Sequence, residues 1–288
     1  METLFFVLQI GLIYGIAGLA VRMILSVSGG GFDLFVAISA LISAEIGIAV
    51  ANFWQADSIS EVLLACCIGI LSAGLIGYLW SVLISLSKLR KSPALAIFIG
   101  SFGALMFIMG SVGVLRGPGL RTFENISGQT IDFLNMYVGI GIFSGLTLTG
   151  MAILISLAFL KLPIGYALRL YTINPFLSLE IGINKDRVRQ LGTIFTGFLA
   201  GVAGCAMALT GGSTPELGMK LFLYGIGAAL LFESRELFYP LISGFILGAM
   251  QVGIQLYLAP AWSESIMFAV IVTVLILRGT SREVSGVR

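Results

Sequence analysis

The sequence predicts an all-α polytopic membrane protein, and three observations carry that prediction: an apolar composition, a succession of bilayer-length apolar runs, and a one-sided distribution of Lys and Arg. Of 288 residues, 58% are hydrophobic and 10% charged, and the mean hydropathy is +1.06, far above soluble usage. A helix crossing about 30 Å of hydrocarbon needs roughly 20 apolar residues, because no water is present there to satisfy a bare backbone amide.

Apolar runs bounded by charges or turn residues place about nine spans, within a range of eight to ten, near 5–27, 32–52, 62–86, 94–115, 137–160, 189–211, 219–232, 237–258 and 263–277. They follow one another along the chain, so 1–288 reads as one transmembrane domain. The run from 219 is short for a full crossing. The first pair is joined only by Ser28, Gly29, Gly30 and Gly31, so a broken or re-entrant segment near 28–33 is expected. The N-terminus carries an acidic residue and no basic region before its apolar run, and reads as a retained first helix rather than a signal peptide.

Basic residues translocate poorly, so they mark the cytoplasmic side. One set of alternate loops holds Lys88, Arg90, Lys91, Lys161, Arg169, Lys185, Arg187, Arg189, Arg235, Arg278, Arg282 and Arg288. The other set holds only Arg116, Arg121 and Lys220. The first set is therefore expected inside, together with the C-terminus.

Several chemistries are disfavoured. The chain has no histidine, the commonest general base and zinc ligand. No phosphate-binding G-x-x-x-x-G-K-[ST] occurs, and the Gly29–Gly31 run has no lysine after it to hold a phosphate. Any ATP hydrolysis is thus expected to belong to another subunit, and no cofactor to this chain. A membrane-embedded enzyme would need paired acids or nucleophiles on neighbouring spans, yet the candidates are only Asp33 and Glu45. Cys66, Cys67 and Cys205 lie in apolar runs and read as packing residues.

Between Gly165 and Arg189 the chain turns polar. Within this island Asn174-Pro175 stops one element and starts another, since proline lacks an amide proton and suits a first helical turn. A short helix is expected to follow, with Phe176, Leu177, Leu179 and Ile181 forming an apolar side next to Glu180. Gly182 ends it before Asn184, Lys185, Asp186 and Arg187. Composition alone is equally consistent with a solvated connector.

The order Ala167-Leu168-Arg169, Asn174-Pro175, Gly182-Ile183-Asn184, Asp186-Arg187-Val188-Arg189 resembles the cytoplasmic coupling segment of ABC importer permeases of the branched-chain amino acid and sugar group. The likeness extends through 191–212 and, less closely, to Gly29–Leu34, and is best to compact amino acid permeases. Tyr171 and Thr172 depart from the small or acidic residues common before Asn-Pro, and Glu233-Ser234-Arg235-Glu236 from a Gly-rich turn; these departures bear on the cargo. The resemblance implies a bacterial inner-membrane subunit importing a small solute, with amino acid as the first expectation and sugars or nucleosides open. It implies two cytoplasmic ATP-binding cassette subunits carrying ATP and Mg, a second permease identical or homologous to this one, an extracytoplasmic binding protein, and no nucleic acid. Asn174, Pro175, Glu180, Gly182, Ile183, Asn184 and Arg187 would couple to the ATPase. The rival reading is a stand-alone secondary transporter, which has no need of a docking helix.

A second candidate is Ser28, Gly29, Gly30, Gly31, Phe32, Asp33 and Phe35, with Glu45 further along the same run. An ionised side chain at mid-bilayer costs about 2.5–3.5 kcal/mol even on lenient scales, so such residues have a reason to be there. Two readings stand: Asp33 caps the following helix, or the glycine break, Asp33 and Glu45 belong to the solute pathway. A similar segment, Thr210-Gly211-Gly212-Ser213-Thr214-Pro215-Glu216-Leu217, opens the possibility of inverted halves. Small residues four apart at Gly11/Gly15, Ala73/Gly77, Gly197/Gly201 and Gly244/Gly248 predict close helix crossings.

Overall fold

The computed structural model describes residues 2–27, 33–86, 94–126, 128–133, 136–173, 175–180, 182–231, 238–258 and 260–285. In chain order the elements are α1 (Glu2–Val27), α2 (Phe35–Trp54), α3 (Ile59–Leu86), α4 (Ala94–Arg116), β1 (Thr130–Phe133), β2 (Met136–Gly139), α5 (Ile140–Lys161), α6 (Pro163–Ile173), α7 (Pro175–Glu180), α8 (Lys185–Gly211), α9 (Leu217–Leu230), α10 (Tyr239–Tyr257) and α11 (Pro260–Ser285). Among the described residues seven helices have the length and composition to cross a membrane, and Leu217–Leu230 and Trp262–Val274 are shorter apolar helices. Each of the nine predicted runs thus contains a helix, and the protein is an all-α polytopic membrane protein.

Boundaries differ from expectation where local chemistry intervenes. α8 starts at Lys185 rather than 189 because Asn184 Oδ1 accepts the amides of Asp186 at 3.0 Å and Arg187 at 3.3 Å, satisfying two orphan donors of the first turn. The run begun at 137 opens as strand β2, paired antiparallel with β1 from Thr130↔Gly139 to Phe133↔Met136. The α5 helix follows only at Ile140, whose amide bonds Gln129 O at 3.0 Å. This two-stranded hairpin is an addition to the all-α expectation. α2 begins at Phe35 rather than 32, after Asp33 and Leu34. Residues 163–173, too polar in pattern to read as a span, form the separate helix α6.

Chain alternation gives the bundle two faces. One, here the island face, gathers the Val27 end of α1, the start of α2, the ends of α3 and α5, α6, α7 and the start of α8. The other, the hairpin face, gathers the ends of α2, α4 and α8, the start of α9 and the β hairpin.

The centre is α1, α2, α8 and α9, with α10 laid on α1 and α3 laid on α8. Ile13, Ile16, Phe35, Ile48 and Leu221 are among its fully or almost fully buried side chains. The four predicted small-residue pairs meet one another two by two. A Cβ on Gly11 would lie 2.9 Å from Phe245 Cα, and one on Gly248 would lie 2.5 Å from Gly11 Cα, so α1 and α10 touch backbone to backbone. A Cβ on Gly77 would lie 2.8 Å from Thr193 O, and one on Gly197 would lie 2.5 Å from Ala73 O, which puts α3 and α8 in the same relation. Since α1 and α8 run in opposite directions, α1–α3 and α8–α10 are two inverted sets, each lending its first helix to the other's third. Cys205 sits between them with Sγ 3.0 Å from Ser43 Oγ. Cys66 is also buried, whereas Cys67 is exposed rather than packed.

Two elements depart from this close packing. A Cβ on Gly18 would lie 2.7 Å from that of Ala228 and 3.1 Å from that of Pro240. The end of α9 and the start of α10 therefore sit level with Gly18, short of the island end of α1, as the short run from 219 suggests. Only 11% of the apolar stretch of α4 is buried, and a Cβ on Gly100, Gly103, Gly110 or Gly113 would meet nothing within 4 Å.

Candidate functional site

The island forms a ledge against the bundle. Leu168 and Tyr171 of α6 are buried, 1% and 4% exposed, and anchor it. The α7 helix then opens on Pro175, whose missing amide proton is no loss in a first turn. Gly182 adopts φ 84°, the left-handed conformation that ends a helix with least strain in glycine. Ile183 N bonds Ser178 O at 3.0 Å across that turn, and Asn184 at once caps α8. Ser178 and Val188 are buried, which leaves Leu177, Glu180, Gly182, Asn184, Asp186 and Arg187 exposed along the ledge. Asn174 and Ile181, and the side chains of Phe176 and Leu179, lie outside the described residues.

At the start of α2, Asp33 is 1% exposed. Its Oδ1 accepts the Phe35 amide at 3.0 Å and its Oδ2 accepts Trp80 Nε1 of α3 at 3.0 Å. The Leu34 amide donates to Ser101 Oγ of α4 at 3.1 Å. Phe35 stacks with Trp80, ring centroids 6.2 Å apart. The carboxylate thus serves the first turn of α2, as a capping residue does, and ties that turn to α3. Ser28, Gly29, Gly30, Gly31 and Phe32, and likewise Glu233 to Glu236, lie outside the described residues.

Glu45 does not share this site. It lies about 18 Å further along α2 at 1.5 Å per residue, and its partners come from the hairpin face. Oε2 is 3.3 Å from Arg116 Nη1, which also donates to the Glu45 carbonyl at 3.1 Å. Ser213 Oγ donates to Oε1 at 2.7 Å. Ser213 and Arg121 exchange backbone bonds of 2.9 and 2.7 Å, and Arg121 Nη2 donates to Arg116 O at 2.7 Å. One carboxylate therefore binds the last residue of α4, the loop after it and the approach to α9.

Sequence reading found both acids but not their partners Trp80, Ser101 and Ser213. An arginine closing an otherwise apolar helix is the signal Arg116 offered, whereas tryptophan and serine in apolar runs carry none. It also missed a pairing of Lys220 in α9 with Glu264 in α11, Nζ to Oε1 2.9 Å.

The profile of the family described as "Branched-chain amino acid transport system / permease component" matches residues 3–275. A probable branched-chain amino acid transport permease protein LivH of Methanocaldococcus jannaschii is 27% identical over 201 residues, covering 66% of this chain and 62% of that protein. The chain thus spans less than two thirds of that relative. The high-affinity branched-chain amino acid transport system permease protein LivH of Escherichia coli K12 is 24% identical over 230 residues, 73% of each chain, and that of Salmonella typhimurium LT2 is 25% identical over the same length. Among solved structures, "PsaBC from Streptococcus pneumoniae in complex with Fab" is similar in fold, with TM-score 0.51, 15% identity, and coverage of 96% of this chain and 91% of that one.

Proposed function

The chain belongs to the family of branched-chain amino acid transport system permease components, and from that premise we propose that it is the membrane subunit of an ATP-binding cassette importer that carries an amino acid delivered by an extracytoplasmic binding protein. The island face is then cytoplasmic, a placement that the distribution of Lys and Arg supports. The hairpin face receives the solute. Transport proceeds by alternating access, with no covalent chemistry in this chain and with ATP and Mg held by two separate cassette subunits. A second permease, identical or homologous, completes the core.

The single observation that carries this reading is the exposed α7 ledge. A six-residue helix cannot cross a bilayer and adds little core, yet it is fixed at both ends, by Pro175 and by the Gly182–Asn184 turn. Its exposed residues include an apolar Leu177, 48% exposed, and Glu180, and the exposed Asp186 and Arg187 at the start of α8 extend the charged rim of the ledge. An apolar tip inside a charged rim is the composition of a protein contact. Rigid attachment to α8 lets movement of a docked subunit reach the bundle.

The test is co-purification of a soluble cassette ATPase with the tagged chain, followed by Arg187→Glu in the reconstituted complex. Charge reversal at the contact is expected to lower binding-protein-stimulated ATP hydrolysis about tenfold, equivalent to about 1.4 kcal/mol of lost interaction. No associated ATPase leaves a secondary transporter as the better account, whereas unchanged stimulation in the variant counts against the docking role of this ledge.

A further inference from the structure

Of the basic residues that the sequence assigns to the hairpin face, Arg116 and Arg121 are bound into the Glu45 cluster. Lys220 is placed differently. It and Glu264 stand on α9 and α11 at the edge of a cavity of about 390 Å³ lined otherwise by Leu223, Tyr224, Ser265 and Phe268. Their side chains remain 37% and 54% exposed while paired at 2.9 Å. An exposed ion pair of this kind adds little to stability, so it does not by itself explain two opposite charges beside an apolar pocket.

Beneath the pair the polar character continues inward. Tyr224, which lines the cavity, stacks on Tyr14 with ring centroids 4.5 Å apart. Tyr14, fully buried, donates its hydroxyl to Gln251 of α10. A line of polar groups thus runs from the pocket to the α1–α10 contact.

We propose that the Lys220–Glu264 pocket is an amino acid recognition site at the outer mouth of the pathway. Resting on the amino acid importer reading above, it names how the solute is held. A zwitterion carries both charges on one carbon. Its carboxylate takes Lys220 and its ammonium takes Glu264, so the pair opens with no net charge left unpaired. An apolar side chain then lies against Leu223 and Phe268, with the Tyr224 ring beside it. A sugar has no charges with which to replace either half of the pair, so the pocket selects against it. The cavity lies within the size range of small-molecule sites.

The experiment measures ATP-driven uptake of L-leucine, with L-phenylalanine as second probe, by the complete complex in proteoliposomes. Lys220→Gln and Glu264→Gln are each expected to raise the apparent KM about tenfold, the loss of one charged hydrogen bond. Lys220→Arg is expected to stay within about twofold. The exchanged pair, K220E with E264K, keeps an ion pair, so it restores a merely structural tie. It is expected not to restore KM, because the pocket walls fix which end of the solute faces which helix. Unchanged KM in both neutral variants, or full recovery in the exchanged pair, overturns the proposal. If a neutral variant does not assemble, the exchanged pair alone decides. Absence of uptake by the unaltered complex sinks the importer reading together with this one, whereas normal uptake with unaffected variants sinks only this one.

Discussion

The α1–α10 contact and the α4 helix are both rich in glycine, yet they use it in opposite ways. In the first, Gly11, Gly15, Gly244 and Gly248 let two backbones touch, and any side chain there meets main-chain atoms that cannot yield. In the second, Gly100, Gly103, Gly110 and Gly113 face open space. The α4 helix is held by a few polar and buried points: Ser101 on the Leu34 amide, the fully buried Leu105, and Arg116 on Glu45. Glycine content alone therefore says nothing about packing; what the glycine faces decides it.

The largest expected effect breaks the first half of this comparison. Gly248→Leu puts a branched side chain where a bare Cβ already lies 2.5 Å from Gly11 Cα, an overpacking cost of about 3 kcal/mol or more. Loss of the monodisperse species in detergent gel filtration is the expected result, and a variant of normal melting temperature would show that the seam is not close-packed. Next, Glu45→Gln removes the charge that holds Arg116 and keeps an acceptor for Ser213. A fully buried pair broken in this way costs about 3–5 kcal/mol. Arg116 is 32% exposed, so screening reduces that to about 1–2 kcal/mol. Proteolysis or hydrogen exchange localised to residues 117–126 reads it, and uniform destabilisation of the bundle would contradict the local tether. The smallest effect sharpens the second half. Gly110→Ala adds a methyl group into open space and removes a helix-weakening glycine, so stability is expected to rise by about 0.5–1 kcal/mol. A loss of similar size in the thermal melt would mean that a neighbour covers this face of α4 in the assembled transporter.

Much of the bundle was legible because apolar run length and small-residue spacing are local properties. The pairs at Gly11/Gly15 and Gly197/Gly201 could be read directly. Which seam each joins could not, because Gly11 meets Gly248 far along the chain. The end of α7 at Gly182 and the cap at Asn184 were also readable, since both follow from the chemistry of one residue and its immediate neighbours. The start of α5 was not. Met136 to Gly139 continues the hydropathy of the helix after it, and only pairing with Thr130 to Phe133 turns it into a strand. Asp33 and Glu45 stood out as acids in apolar surroundings, but their separation into two unrelated sites depends on Trp80, Arg116 and Ser213. For the same reason the Lys220–Glu264 pair was invisible: its members belong to different runs.

The α8 helix is unbroken from the Asn184 cap to Gly211, 27 residues that amount to about 40 Å of continuous hydrogen-bonded rod. By simple leverage, tilting such a rod by roughly 5° about one end displaces the other by about 3.5 Å, more than half of one helical turn. A small angular error on the ledge thus becomes a displacement of atomic size beside the hairpin, with no relay of side chains between them.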